Sequence, residues 1–272
     1  MVLVAAVAHA SWNAIAHDID DKLVSFTLVG LGGAVCSLVV VAVAPLPHRD
    51  SWPYLLTSAL VHVAYFALLM KSYELGEFSQ VYPLARGTSP LVVTVLAAVF
   101  VREVPPPFEL AGVLVVSVGL GTLVLAGGRP GRRDLPALAA AVGTGLTIAA
   151  YTTIDGIGVR ASGNAAAYTG WLILLQSLPI PLYALARRRR ALIRQLRPQA
   201  VRGLAGGVLS LLAYGLVLWA QTRGALAPIA ALRETSIIVG AVIGTIFFAE
   251  PFGRSRVVAT VVVVGIVLIS LA

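Results

Sequence analysis

Two arginines stand in runs of residues that otherwise suit hydrocarbon. Arg86 lies in VYPLARGTS, Val81 to Ser89, and Arg233 lies in IAALRETS, Ile229 to Ser236. A guanidinium is planar, permanently charged and able to hold a carboxylate or phosphate by paired hydrogen bonds. Inside a bilayer it is expensive, so a chain that keeps one at depth is expected to use it. The two stretches align without a gap: Thr88 falls on Thr235, Ser89 on Ser236, Phe100 on Phe247 and Glu103 on Glu250, each pair 147 positions apart. Such self-similarity reads as an internal repeat rather than as two apolar helices matching by chance.

Other polar side chains gather in two sets. His9, Trp12 and Asn13 share the first apolar run, with His9 and Asn13 one turn apart on one face. Tyr151, Thr152 and Asp155 make a similar set in a later run. With Tyr82, Tyr214 and the two arginines, the candidates for lining a substrate cavity are Arg86, Arg233, His9, Trp12, Asn13, Tyr82, Tyr151, Thr152 and Tyr214. Asp155, Glu234 and His9 are the candidates for carrying a coupling proton, because titratable side chains within a membrane serve as proton relays. Depth places Arg86 nearer one face and Arg233 nearer the other, as guards of opposite approaches to one cavity. The plainer alternative is structural: Arg233 neutralised by Glu234 or Asp155, and Arg86 by helix-end carbonyls. For the remaining polar or small residues packing is the expectation. Gly240-xxx-Gly244 reads as a helix seam, Tyr65, Trp52 and Trp171 as interface anchors or ordinary packing, and Glu103 and Glu250 as products of loop geometry.

The elements that must position these groups follow from composition. The 272 residues are 58% hydrophobic and 12% charged, with a mean hydropathy of +0.92. A soluble domain carries about twice that charge. The expectation is an all-α integral membrane protein with ten transmembrane helices. The ten runs are Met1–Ala16, Leu23–Ala44, Trp52–Tyr73, Val81–Val101, Phe108–Ala126, Leu135–Val159, Ala165–Ala186, Gly203–Gln221, Ala225–Ala249 and Val257–Ala272. Met1–Ala16 has no charged leader and reads as a short first span, about 24 Å against a hydrocarbon core of about 30 Å. Pro179 and Pro181 are expected to kink the seventh run, and Arg187–Arg202 reads as a basic loop. The breaker GGRPGRRD divides residues 1–128 from 135–272, with 129–134 as linker. Five spans per half force the halves to cross the membrane in opposite senses, the inverted-repeat plan of secondary transporters.

Charge and motifs exclude several classes. The net charge of +8 resides in loops between spans, where anionic lipid headgroups and topology explain it better than nucleic acid. Fourteen Lys or Arg fall on one side and four on the other, with Arg86 and Arg233 between; the positive-inside rule then places both termini outside. The single cysteine, Cys36, rules out an internal disulfide and a cysteine metal cluster and reads as a packing residue. The sequence has no HExxH, GxxxxGK[ST], GxSxG or CxxC, so neither an enzyme nor an ATP-driven pump is expected, and no cofactor or metal is implied.

Four segments carry a family resemblance: HASWNA at His9–Ala14, VYPLARGTSP at Val81–Pro90, YTTIDGIGVR at Tyr151–Arg160 and ALRETS at Ala231–Ser236. Together with the glutamate after the fourth and ninth spans, they resemble the EamA-type ten-span permeases of the drug/metabolite transporter superfamily. The resemblance implies a bacterial inner-membrane carrier with two inverted five-helix repeats and alternating access. It draws both termini in the cytoplasm, against the arginine count. The expected function is secondary active transport of a small metabolite, amino-acid-like or anionic, coupled to protons. The alternatives are a lipid-linked sugar flippase and a non-transporting membrane scaffold. Expected partners are the small-molecule substrate and membrane lipids, with no nucleic acid; a homodimer is among the assemblies this reading admits.

Overall fold

A computed structural model describes residues 1–17, 19–76, 78–126, 131–247 and 255–270, and among them there are helices and turns but no strand. Helix α1 spans Val2–His17 and α2 spans Lys22–Val43, which starts where the Asp21 side chain accepts a bond from the Val24 amide. Helix α3, Trp52–Leu75, begins with Pro53 in its first turn, where a missing N–H is harmless, and stops at Gly76. Helix α4, Phe78–Leu96, widens into a π-helical turn over Ala97–Val101 and ends on Arg102 in the left-handed region (φ 60°). Helices α5 (Pro107–Ala126) and α6 (Leu135–Ala161) again open with proline in the first turn.

The second half differs from a plain succession of spans. The seventh run is two helices, α7 (Ala165–Ser177) and α8 (Pro179–Arg188), divided at Leu178 because the prolines cannot donate into the preceding turn. The stretch expected to be a basic loop is instead the short helix α9, Arg190–Leu196, and a 3₁₀ turn leading into α10, Ala200–Gln221. The ninth run is also divided, into α11 (Leu226–Arg233) and α12 (Ser236–Phe247). At that break the amides of Glu234 and Thr235 bond to Ala231 and Leu232, three residues back rather than four. Helix α13, Ser255–Ser270, closes the chain.

Burial is inside out relative to a water-soluble protein. Val39, Phe100 and Val201 are 63%, 68% and 83% exposed, while Arg86, Asp155 and Glu234 are buried. Six segments are long and apolar enough to cross a bilayer: Lys22–Val43, Arg49–Ser72, Leu84–Val101, Leu135–Ala161, Ala165–Arg188 and Ala191–Gln221. Two shorter apolar helices, Val2–Ala16 and Pro107–Gly121, accompany them. The protein is a multi-pass helical membrane protein.

Close approach between helices relies on glycine. A Cβ on Gly207 of α10 would lie 2.2 Å from the α2 backbone at Gly32 and Gly33, and a Cβ on Gly112 of α5 would lie 2.6 Å from Gly265 O on α13. The expected seam at Gly240 and Gly244 lies on residues whose surroundings are outside the described ones. Trp52 and Trp171 face each other with ring centres 5.3 Å apart, so these two pack together. Helix α3 packs on α6, α1 and α2 on α10, α4 on α5, α6 and α11, α1 on α12, α2 and α3 on α7, and α5 on α13.

The two ends of the bundle are tied differently. Where α6 finishes, Arg160 Nε donates to Gln221 O at 2.7 Å and Nη2 to Gly224 O at 2.8 Å, while Nη1 meets Glu103 Oε1 at 2.5 Å. Glu103 Oε2 also accepts from the amide of Leu226, the first residue of α11, at 2.9 Å. Loop geometry was expected to explain Glu103; it instead joins the α4 end to α6, α10 and α11, and its repeat mate Glu250 lies outside the described residues. At the opposite end Arg188 grips Asp21 through both Nη atoms.

Candidate functional site

A cavity of about 90 Å³ lies among α1, α2, α3, α6, α7, α8 and α10. It runs from the middle of the bundle toward the end where α2 starts and α8 finishes, where Phe26, Gly30 and Ile180 line it. The opposite end carries the Arg160–Glu103 joint. Its walls are aromatic: Trp12, Phe26, Tyr65, Phe66, Tyr151 and Tyr214, with His9 and His62. Gln176, Ser177 and Ser210 supply neutral polar groups, and no Lys, Arg, Asp or Glu is among the lining residues.

The aromatic wall is held in place by its own contacts. His62 stacks on Tyr151 with centroids 4.0 Å apart and meets Tyr65 and Tyr214 edge-on at 6.3 and 5.8 Å. The His62 ring nitrogen Nδ1 sits 2.9 Å from Ser58 O, one turn back on α3, which fixes the ring against Tyr151. On α1, Trp12 Nε1 donates to His9 Nδ1 at 3.2 Å, leaving the other imidazole nitrogen for the cavity side. Behind the wall, Tyr168 donates to Asp155 Oδ1 at 3.0 Å and Tyr214 donates to Oδ2. Tyr214 therefore has its ring at the cavity and its hydroxyl on a fully buried carboxylate.

The two arginines meet at one acid. Arg86 Nε lies 2.7 Å from Glu234 Oε2, and its Nη2 donates to Ser236 Oγ at 2.9 Å. Arg233 Nε is 3.8 Å from Glu234 Oε1, too far for a hydrogen bond, and its Nε and Nη2 are buried without a hydrogen-bond partner among the described residues. Arg86 lies about two turns into α4, and Arg233 is the last residue of α11, at the break before α12. The expectation of separate guards at opposite approaches does not hold, since both reach the same Glu234 between α4 and α11. The cluster lies outside the cavity lining.

The other sequence candidates divide. His9, Trp12, Tyr151 and Tyr214 line the cavity, and Asp155 supports it from behind. Asn13 turns its amide back to His9 O at 2.8 Å, and the Thr152 carbonyl accepts from Gln221 at 3.4 Å; neither residue lines the cavity. The Tyr82 side chain lies outside the described residues. Sequence reasoning missed His62 and gave Tyr65 to packing or the interface. An intramembrane histidine three positions before a tyrosine, mirroring His9 and Trp12, was the available signal.

Comparison with known proteins agrees with this architecture. Residues 1–125 match the EamA-like transporter family. No curated protein matches the chain. Among solved structures 26 chains match, and one of them, described only as the crystal structure of a protein, is 16% identical with a TM-score of 0.69 over 99% of this chain and 98% of the other. At that identity the likeness shows a shared fold alone.

Proposed function

Residues 1–125 match the EamA-like transporter family, and on that premise we propose that the chain is a transporter of this kind, a secondary active carrier of a small metabolite. Its ten helical passes form two five-helix repeats of opposite sense, residues 1–128 and 135–272. The helix contacts support the repeat. Exchanging α1 with α6, α2 with α7–α8, α3 with α10, α4 with α11–α12 and α5 with α13 turns contacts into contacts: α3 on α6 becomes α10 on α1, and α2 on α10 becomes α7 on α3. The pairs α2–α7, α4–α11 and α5–α13 map onto themselves.

The observation that carries the reading is the aromatic cavity that these contacts build between helices of both halves. Its rings suit a planar or apolar body, which they grip over a large area at little conformational cost. An anionic group on the same molecule would meet the positive field of Arg86 and Arg233 from behind the cavity wall, since neither is among the lining residues. Asp155 is the proton carrier in this scheme, because Tyr214 links its carboxylate to the cavity surface. A bacterial inner membrane is the setting the reading assigns.

The test is a thermal-shift screen of metabolites on purified protein, followed by flux in proteoliposomes. A ligand that binds the folded state raises its melting point by mass action. Aromatic and amphipathic carboxylic acids are expected to raise it and to be transported. Lipid scrambling without solute flux would replace the reading with a flippase, and neither activity would leave a scaffold.

A further inference from the structure

Between its arginine and its serine the repeat is broken at one position, and the break has a steric cause. Glu234 follows Arg233, but the residue after Arg86 is Gly87. A Cβ at Gly87 would lie 2.9 Å from Leu120 Cβ and 3.1 Å from Ser117 O on α5, so no glutamate fits there. One acid therefore serves two buried arginines, and it is shared unequally: 2.7 Å to Arg86 against 3.8 Å to Arg233.

The serines are used just as unequally. Ser236 Oγ accepts from Arg86 Nη2 at 2.9 Å. Its repeat mate Ser89 is fully buried, and its Oγ has no hydrogen-bond partner among the described residues; the same is true of Arg233 Nη2. A buried donor and a buried acceptor left unused, on the two helices α4 and α11 that touch, are costly unless another arrangement uses them. The repeat says which arrangement: the mirror of Arg86 on Ser236 is Arg233 on Ser89.

We infer that Ser89 is a positioning residue for the transport cycle, the acceptor that Arg233 takes when the cavity turns to the opposite end. In that state Arg233 donates to Ser89 Oγ, Glu234 shifts toward Arg233, and Arg86 leaves Ser236. The inference rests on the proposed alternation of two repeats and adds the pair of contacts that selects between its states. No charge crosses the cluster, and the two states differ by an exchange of one guanidinium–hydroxyl bond for its mirror image.

The experiment reads the populations directly. In a Cys36→Ser background, which removes the single native thiol, Ser210→Cys places a probe on the cavity wall at the middle of α10. The protein is reconstituted in sealed vesicles of either orientation and labelled with a membrane-impermeant methanethiosulfonate. Labelling from the end that carries Arg160 reports the opposite state. Ser89→Ala is expected to slow it by about five-fold, what one net hydrogen bond is worth in an equilibrium, and Ser236→Ala to speed it by a similar factor. Ser89→Thr restores the hydroxyl and the unsubstituted rate. Ser89→Ala removes a group with no hydrogen-bond partner among the described residues, so its folding is expected to be unaffected and it decides the matter even where Ser236→Ala folds poorly. Equal labelling in Ser89→Ala and its parent overturns the inference and leaves the transport reading standing. A parent that never labels from the Arg160 end overturns both.

Discussion

With Glu234 ionised, the buried cluster holds two guanidiniums and one carboxylate. Removing the carboxylate leaves two cations facing each other in a poorly polarisable interior, whereas removing Arg86 leaves a neutral Glu234–Arg233 pair. Breaking a buried ion pair by deleting one partner costs about 3–5 kcal/mol, so Glu234→Gln is expected to lower the melting temperature in detergent far more than Arg86→Gln does. Equal melting of the two variants would contradict this sharing of one acid. Asp155 has a different role. Asp155→Asn keeps an acceptor for one of Tyr168 and Tyr214 and offers its amide N–H to the other hydroxyl, but cannot exchange a proton, so folded yield is retained while transport loses its dependence on a pH gradient. Persistence of that dependence would move the coupling site elsewhere. At this scale the sequence was informative about residue types and silent about partners. Arg86, Arg233 and Glu234 were all legible as intramembrane charges, but Arg86 bonds a serine 150 positions away, a pairing that spacing along one chain does not contain. His62 escaped notice because nothing repeats it, although an imidazole within a span was a signal in itself.

Helices α2 and α10 approach so closely at Gly32, Gly33 and Gly207 that a side chain has no room there. Gly207→Val would place its Cβ 2.2 Å from backbone atoms, which cannot yield as a flexible side chain would, and is expected to abolish recovery of folded protein after extraction in mild detergent. Recovery at the unsubstituted level would mean the helices can separate without loss. At the end of α8, the Arg188 guanidinium beside Asp21 holds its carboxyl below the usual carboxylate range. A carboxyl depressed on folding adds stability above its unfolded value, near 3.9, and that stability is lost as pH falls through the lower folded value. The melting curves of the parent and of Asp21→Asn should therefore differ at neutral pH and converge below about pH 4. Divergence that persists at low pH would assign the contact some other role. Element breaks were partly visible beforehand. Pro179 and Pro181 announced the division of α7 from α8, because proline lacks the N–H the helix needs. Nothing comparable announced the division of α11 from α12, where Glu234 and Thr235 turn on three-residue bonds while facing the buried arginines.

Seen whole, the bundle is tied together at the end where Arg160 reaches Glu103, Gln221 and Gly224. A single guanidinium that gathers three chain segments should resist opening, so Arg160→Gln is expected to raise labelling of the Ser210→Cys probe from that end and to lower thermal stability modestly. Unchanged labelling would show that the end is held shut by helix packing alone. What the amino-acid sequence determined by itself was the class of molecule, because hydrocarbon selects long apolar helices and pushes charge into loops regardless of their neighbours. It also determined the repeated stretch and the candidate polar residues, since identity at a constant offset needs no structure to be seen. Only the tertiary structure decided which of those residues meet. The cavity is made by helices from both halves, and its aromatic wall draws on α1, α2, α3, α6 and α10 at once. The arginines, read along the chain as two guards, became one shared cluster because the middle of α4 meets the end of α11 around Glu234, and contact between helices remote in sequence is set by packing rather than by local pattern.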